Sequence, residues 1–201
     1  MLLNRLFKKI LLIALISLLS SCGIFSPLDQ PQIHNYQITS GIDTSKIFCN
    51  KNNLPILQVL QMQANSPFNT EKMLYTSSKY ELGYYSYSKW ATLPQKMLTT
   101  AIVDKILQSC LYSNVISEDT ITTYQYQLSS QLLNLKQTIN GSTSHVDLSI
   151  MFQLISNNSN QIIKSKTLSA STSASANPNG FVDATNLATQ TILNNLIEWL
   201  R

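Results

Sequence analysis

A chain of 201 residues with 44% hydrophobic and only 12% charged residues has enough apolar material for the core of one domain. Without Arg5, Lys8 and Lys9 its fourteen basic residues fall to eleven against ten acidic ones, so the formal charge falls from +4 to +1. That leaves no clustered basic face and excludes the footprint of a nucleic-acid-binding protein. The five glycines, at 23, 41, 83, 141 and 180, make neither a GxGxxG loop nor a P-loop.

The N-terminus reads as a segment to be removed. Arg5, Lys8 and Lys9 give a positive stretch with no acidic residue before Cys22, and Ile10 to Leu19 is apolar except for Ser17. A spanning helix needs about 20 apolar residues, so this run has the length of a signal-peptide core. Leu19-Ser20-Ser21-Cys22 follows directly and matches the bacterial lipobox. On that reading residues 1–21 are a lipoprotein signal peptide. The Cys22 thiol takes a diacylglyceryl group, and its freed amine is acylated in turn, with palmitate as the expected chain. Two or more acyl chains hold a protein firmly, at about 0.8 kcal/mol per buried CH₂. Gly23 rather than Asp follows the cysteine, which by enterobacterial sorting rules favours the outer membrane, periplasmic side. The plainer alternative is an uncleaved anchor with an incidental Cys22.

Residues 22–32 then read as a lipid-anchored tether, since Pro27, Pro31 and Asp29 argue against regular structure. The folded domain is expected over 33–201. Alternation predicts a strand at 33–38, a polar loop over 41–53 and a strand at 55–62 that opens on Pro55. A turn follows at 64–70, then a short strand at 72–77. Residues 80–90, YELGYYSYSKW, form an aromatic strand with Tyr80, Leu82 and Tyr84 on one face. Its aromatics either cover the core or form an interface, and Trp90 reads as a core anchor. Pro94 opens a helix to Leu111 with Leu98, Ala101, Ile102, Ile106 and Cys110 as one stripe. Val115 and Ile116 start a short strand.

A long strand spans 122–139, with a phase change near 129–131 that suggests a bulge. Asn140-Gly141 signals a hairpin into the alternating run Val146, Leu148, Ile150, Phe152, Leu154. A turn at 157–160 leads to a strand at 161–169. Residues 169–180 read as a polar loop or partner-ordered arm. Asp183 is the candidate N-cap of a last helix carrying Ala184, Leu187, Ala188, Thr191, Ile192, Leu196, Trp199 and Leu200 at helical spacing. The expected architecture is α+β, a single largely antiparallel sheet with two helices packed on one face.

Chemistry is sparse. His34 and His145 lie in separate strands without acidic residues at ligand spacing, GSTSH at 141–145 falls in a hairpin, and Glu118-Asp119 falls in a loop. No nucleophile, metal or cofactor constellation stands out, so the expectation is a protein that is not an enzyme. Cys49 and Cys110 either pair as a disulfide in the oxidising periplasm or remain two small buried residues.

The lipobox, NYQI at 35–38, PILQVLQM at 55–62 and MLYTSSKYELGYYSYSKWATLP at 73–94 together resemble the ABC-type transport auxiliary lipoprotein family, the Pqi-type lipoproteins. Tyr36 and Trp90 occupy family-motif positions. Lys89-Trp90-Ala91 stands where members carry Arg-Trp-Ala, so the arginine's contacts do not carry over. The resemblance implies a non-catalytic outer-membrane accessory subunit of an intermembrane phospholipid transporter. Its partners would be an MCE-domain protein and an inner-membrane permease and ATPase, with a homo-oligomeric ring as its own assembly. The alternative is a scaffold lipoprotein for a lipopolysaccharide-inserting outer-membrane β-barrel.

Overall fold

The computed structural model describes residues 31–47, 49, 53–120 and 122–201. Residues 1–30, and with them Cys22 and most of the expected tether, lie outside the described residues. One compact unit runs from Ile33 to Arg201. Its described strands and α-helices are, in chain order, β1 (His34–Tyr36), β2 (Ile56–Val59), β3 (Gln63–Ala64), β4 (Lys72–Thr76), β5 (Gly83–Trp90), α1 (Pro94–Ser109), β6 (Asn114–Ser117), β7 (Tyr126–Asn140), β8 (Thr143–Ser156), β9 (Gln161–Ser173) and α2 (Pro178–Leu200), with a single 3-10 turn at Thr44–Lys46.

All the strands belong to one sheet. The long β7–β8–β9 meander is antiparallel throughout and supplies most of its paired length. The other edge of β7 is shared by three short strands that pair with it in parallel: β2 at Leu128, β3 at Leu132 and β4 at Gln137. Beyond β2 lies β6, and beyond β4 lie β5 and then β1. Parallel pairing needs long crossovers, and the segments that return the chain to these edges include α1.

Strict alternation on β8 aims Val146, Leu148, Ile150, Phe152 and Leu154 at one face, where all are buried. On β7 Leu128 and Leu132 share that face, and after a bulge between Leu132 and Asn134 so do Leu135 and Gln137. The bulge thus sits a little past the expected 129–131, and it turns Leu133 outward. The β7–β8 hairpin closes with Gly141 at φ +57°, a left-handed conformation that glycine adopts without steric cost.

Both helices cover the buried face. α1 presents Leu98, Ala101, Ile102 and Ile106, and α2 presents Phe181, Ala184, Ala188, Ile192 and Leu196. Leu187 and Thr191, expected on the same stripe, are exposed, because the buried row runs through Thr185, Thr189 and Leu193 instead.

Three expectations are corrected. The strand expected at 55–62 ends at Val59, and β3 begins beyond it at Gln63, with Leu60 between them still donating its N–H to the Leu128 carbonyl. The segment 169–180 is neither loop nor arm. Its first half completes β9, paired residue by residue with His145–Ser149, so the partner strand satisfies a backbone that its side chains alone could not bury. Its second half starts α2. The cap of that helix is Asn177, whose Oδ1 accepts from the Gly180 N–H at 2.8 Å, with Pro178 at the first helical position. Asp183 lies inside the helix.

Trp90 is 1% exposed and meets Phe181 edge-on, with ring centroids 5.4 Å apart. It ties β5 to α2. Truncating so large a side chain in a close-packed core costs about 3–5 kcal/mol. We expect Trp90→Ala to lower the urea midpoint accordingly, whereas Tyr87→Ala, on the exposed side of the same strand, leaves it nearly unchanged.

Candidate functional site

The two motif positions meet in register. β1 pairs in parallel with β5, and Tyr36 stands opposite Trp90. The Tyr36 carbonyl accepts from Ala91 N–H at 2.7 Å, and its hydroxyl donates to Asn179 Oδ1 at 2.8 Å. Just beyond β1, Asn186 on α2 accepts from Thr39 N–H at 2.9 Å and donates to the Gln37 carbonyl at 3.2 Å. The strand by which the chain enters the domain is therefore fastened to α2 at Tyr36 and in the residues just after it. Asn179 and Asn186 carry no motif in the sequence. Only the Asn-Pro step at 177–178, a cap followed by a helix start, hinted that this helix began so early. Lys89 pairs with Glu71 at 3.2 Å on the surface.

The aromatic strand divides. Tyr85 turns inward beside Tyr75, ring centroids 4.9 Å apart, and its hydroxyl donates to Gln137 Oε1 at 2.8 Å. Gln137 is fully buried and its amide donates to Ser144 Oγ and to the Ser175 carbonyl, each at 2.7 Å. Gly83 faces the Tyr75 ring so closely that a Cβ would stand 2.9 Å from it. Tyr80, Tyr84 and Tyr87 turn outward, at 90%, 49% and 55% exposed.

A shallow cleft of about 260 Å³ lies between the chain leaving β1 and the first half of α1, floored by Ile38, Met97 and Ala101. At its rim Ser40 Oγ donates to Asp104 Oδ2 at 2.7 Å. The candidate histidines are not brought together: His34 is on β1, while His145 Nε2 lies 3.3 Å from Asp147 Oδ2 on β8. Glu118 Oε2 accepts the Gln61 N–H at 3.2 Å, and the surrounding loop is exposed. Among the described residues no three His, Cys, Asp or Glu side chains gather as a metal site, and no helix is long and apolar enough to cross a membrane.

Cys49 and Cys110 are joined in a disulfide with Cα atoms 5.5 Å apart. Cys110 is the C-cap of α1 in the left-handed conformation, φ 50°. The bond closes a loop over a sequence separation of 61 residues and fixes the chain after β1 to the end of α1. Two residues on, Tyr112 is buried, and burial, with a smaller contribution from Tyr126, pushes its phenol up to about 12.

These features define an α+β domain with a fastened entry strand. The chain matches the ABC-type transport auxiliary lipoprotein component family over residues 36–196, most of its length, and it belongs to that family. It is thus an auxiliary lipoprotein component of an ABC-type transport system. In fold it is similar to a Xanthomonas campestris protein of the family termed DUF330, at TM-score 0.66 and 16% identity over 84% of this chain and 91% of that one. An uncharacterised protein of known structure gives the same TM-score at 13% identity, over 85% of this chain and 99% of that one. No curated protein matches the sequence significantly.

Two predictions concern the lower end of α1. In the chain-entropy account a loop of this length contributes about 4 kcal/mol through the unfolded state. Cys49→Ala with Cys110→Ala should lower the thermal midpoint, and dithiothreitol should lower that of the native protein but not of the variant. Tyr112 releases its proton near 10 when unfolded and only near 12 when folded. Its contribution is complete below pH 10 and is lost as pH rises from 10 to 12. Urea titrations across that window should show less alkaline loss in Tyr112→Phe than in the native protein.

Proposed function

We propose that the protein is the lipid-anchored, outer-membrane docking subunit of an MCE-type intermembrane phospholipid transport system and catalyses no reaction itself. The observation that carries this reading is membership of the auxiliary lipoprotein family over residues 36–196. The lipobox ending at Cys22 supports the anchor, and Gly23 supports the outer membrane as its destination. The ATPase and permease in the inner membrane would supply the work, the MCE-domain protein the apolar path, and this chain the fixed point at the far side. Such a role asks for a stable surface on a short tether rather than for a reactive group. Docking of several copies as a ring on the MCE-domain protein is part of the same proposal.

Crosslinking in intact envelopes, followed by pull-down of the full lipidated chain and mass spectrometry, tests it. Recovery of an MCE-domain protein together with a permease is the expected result. Recovery of an outer-membrane β-barrel without any MCE-domain protein overturns it in favour of the scaffold alternative.

A further inference from the structure

Exposed large apolar side chains are not spread evenly over this domain. Of the nine that are prominent among the described residues, Ile33, Tyr80, Leu82, Tyr84 and Tyr87 lie on β5, the turn before it, or the residue that leads into β1. The parallel register that sets His34 opposite Ser88 puts Ile33 and Tyr87 one position earlier on the two strands. Each of these two is 55% exposed. Monomeric domains rarely leave such a cluster uncovered without a partner for it.

We infer that this aromatic edge rests on the lipid surface to which Cys22 anchors the chain. The inference rests on the anchored-lipoprotein reading above. Three observations choose a bilayer over other occupants. First, only the eleven residues 22–32 separate the anchor from Ile33, a reach of at most about 40 Å, and the tether joins the domain within the cluster itself. Second, the exposed aromatics are all tyrosines, whose apolar ring and polar tip suit the boundary between acyl chains and headgroups. Third, ammonium groups accompany them: Lys72 Nζ is 4.0 Å from the centre of the Tyr84 ring and Lys79 Nζ is 5.1 Å from that of Tyr80, placed for lipid phosphates. Of the neighbouring acids, Glu71 already pairs with Lys89, which leaves Glu81 as the one acid within the turn that carries Tyr80.

The test uses the full lipidated chain in phosphatidylethanolamine–phosphatidylglycerol vesicles, with Tyr80→Trp as the probe and Ile162→Trp as its control. Ile162 is also exposed to solvent, at the start of β9 on the opposite edge of the sheet. Tyr80 is 90% exposed, so its replacement leaves the core untouched. A ring seated at the acyl boundary, about 5–10 Å deep, lies within reach of brominated acyl chains. The added emission of Tyr80→Trp should therefore fall about twofold or more in brominated vesicles, while that of Ile162→Trp stays level. If both variants float with the vesicles and neither is quenched, or both are quenched alike, the edge is not a membrane contact although the anchor stands. If the lipidated chain does not float at all, the anchor reading fails and this inference with it. Shielding of Tyr80→Trp from iodide only on addition of envelope proteins, without bromine quenching, assigns the edge to a protein partner and overturns the proposal.

Discussion

The fold depends on the backbone of β7. A strand of two to five residues cannot hold its own hydrogen bonds out of water, and an unpaired buried amide or carbonyl costs as much as a lost bond. β2, β3 and β4 are all this short, and each finds its partner along successive stretches of the same edge of β7. The opposite edge is committed to β8 along the whole length of the strand. β7 can serve both sides only because it is long and regular apart from one bulge. That bulge resets its phase so that Leu135 and Gln137 still face the helices.

The same economy explains the buried polar residues. At Gln137 three elements converge: the Tyr85 hydroxyl from β5, Ser144 from β8 and the Ser175 carbonyl just before α2. Both N–H donors of the glutamine amide and its oxygen are bonded here, so the group is satisfied at zero exposure. Asn186 does comparable work on the entry strand, satisfying both a donor and an acceptor of the chain around Ile38. β1 is only three residues long and sits at a sheet edge, where strands fray most easily. With Tyr36 and Thr39 bonded to α2, a pull applied ahead of Ile33 that reaches Tyr36 is shared between the sheet and the longest helix of the domain.

What the sequence discloses and what it hides follow from the range of the forces involved. The alternation of β8, the Asn-Gly hairpin and the spacing of Leu98, Ile102 and Ile106 are local patterns, and each announces its element correctly. Trp90 as a core anchor was likewise legible, since a large aromatic beside a helix entry has few other uses. The parallel pairings of β1, β2, β3 and β4 were not legible, because pairing partners are chosen by tertiary packing and leave no short-range trace. Residues 169–173 misled for a related reason. Serine and threonine supply little apolar area, yet an edge strand needs only one good neighbour, and β8 provides it. Asp183 is a good cap by type, but the helix starts earlier, at the Asn-Pro step of 177–178, which is better placed for a cap and first turn. Of the site, the aromatic stretch was visible but its division was not. The irregular pairing between Lys72 and Leu74 of β4 and their partners on β5 puts Tyr85 and Trp90 inward while Tyr84 and Tyr87 face out.

In the proposed role, a tether of eleven residues also changes what the exposed edge must achieve. Free in solution, three tyrosines and two lysines would hold a bilayer weakly, since each exposed basic residue near an anionic surface contributes only about 1 kcal/mol. Joined to an anchor in the same surface, the contact becomes intramolecular, and short flexible linkers give effective concentrations on the order of millimolar. Weak contacts then suffice to choose an orientation, and the choice remains reversible. A domain held by its aromatic edge would engage β5 and the entry to β1, whereas α1 and the cleft floored by Ile38, Met97 and Ala101 are built from other residues. In the proposed role those surfaces remain available to a protein arriving from across the periplasm.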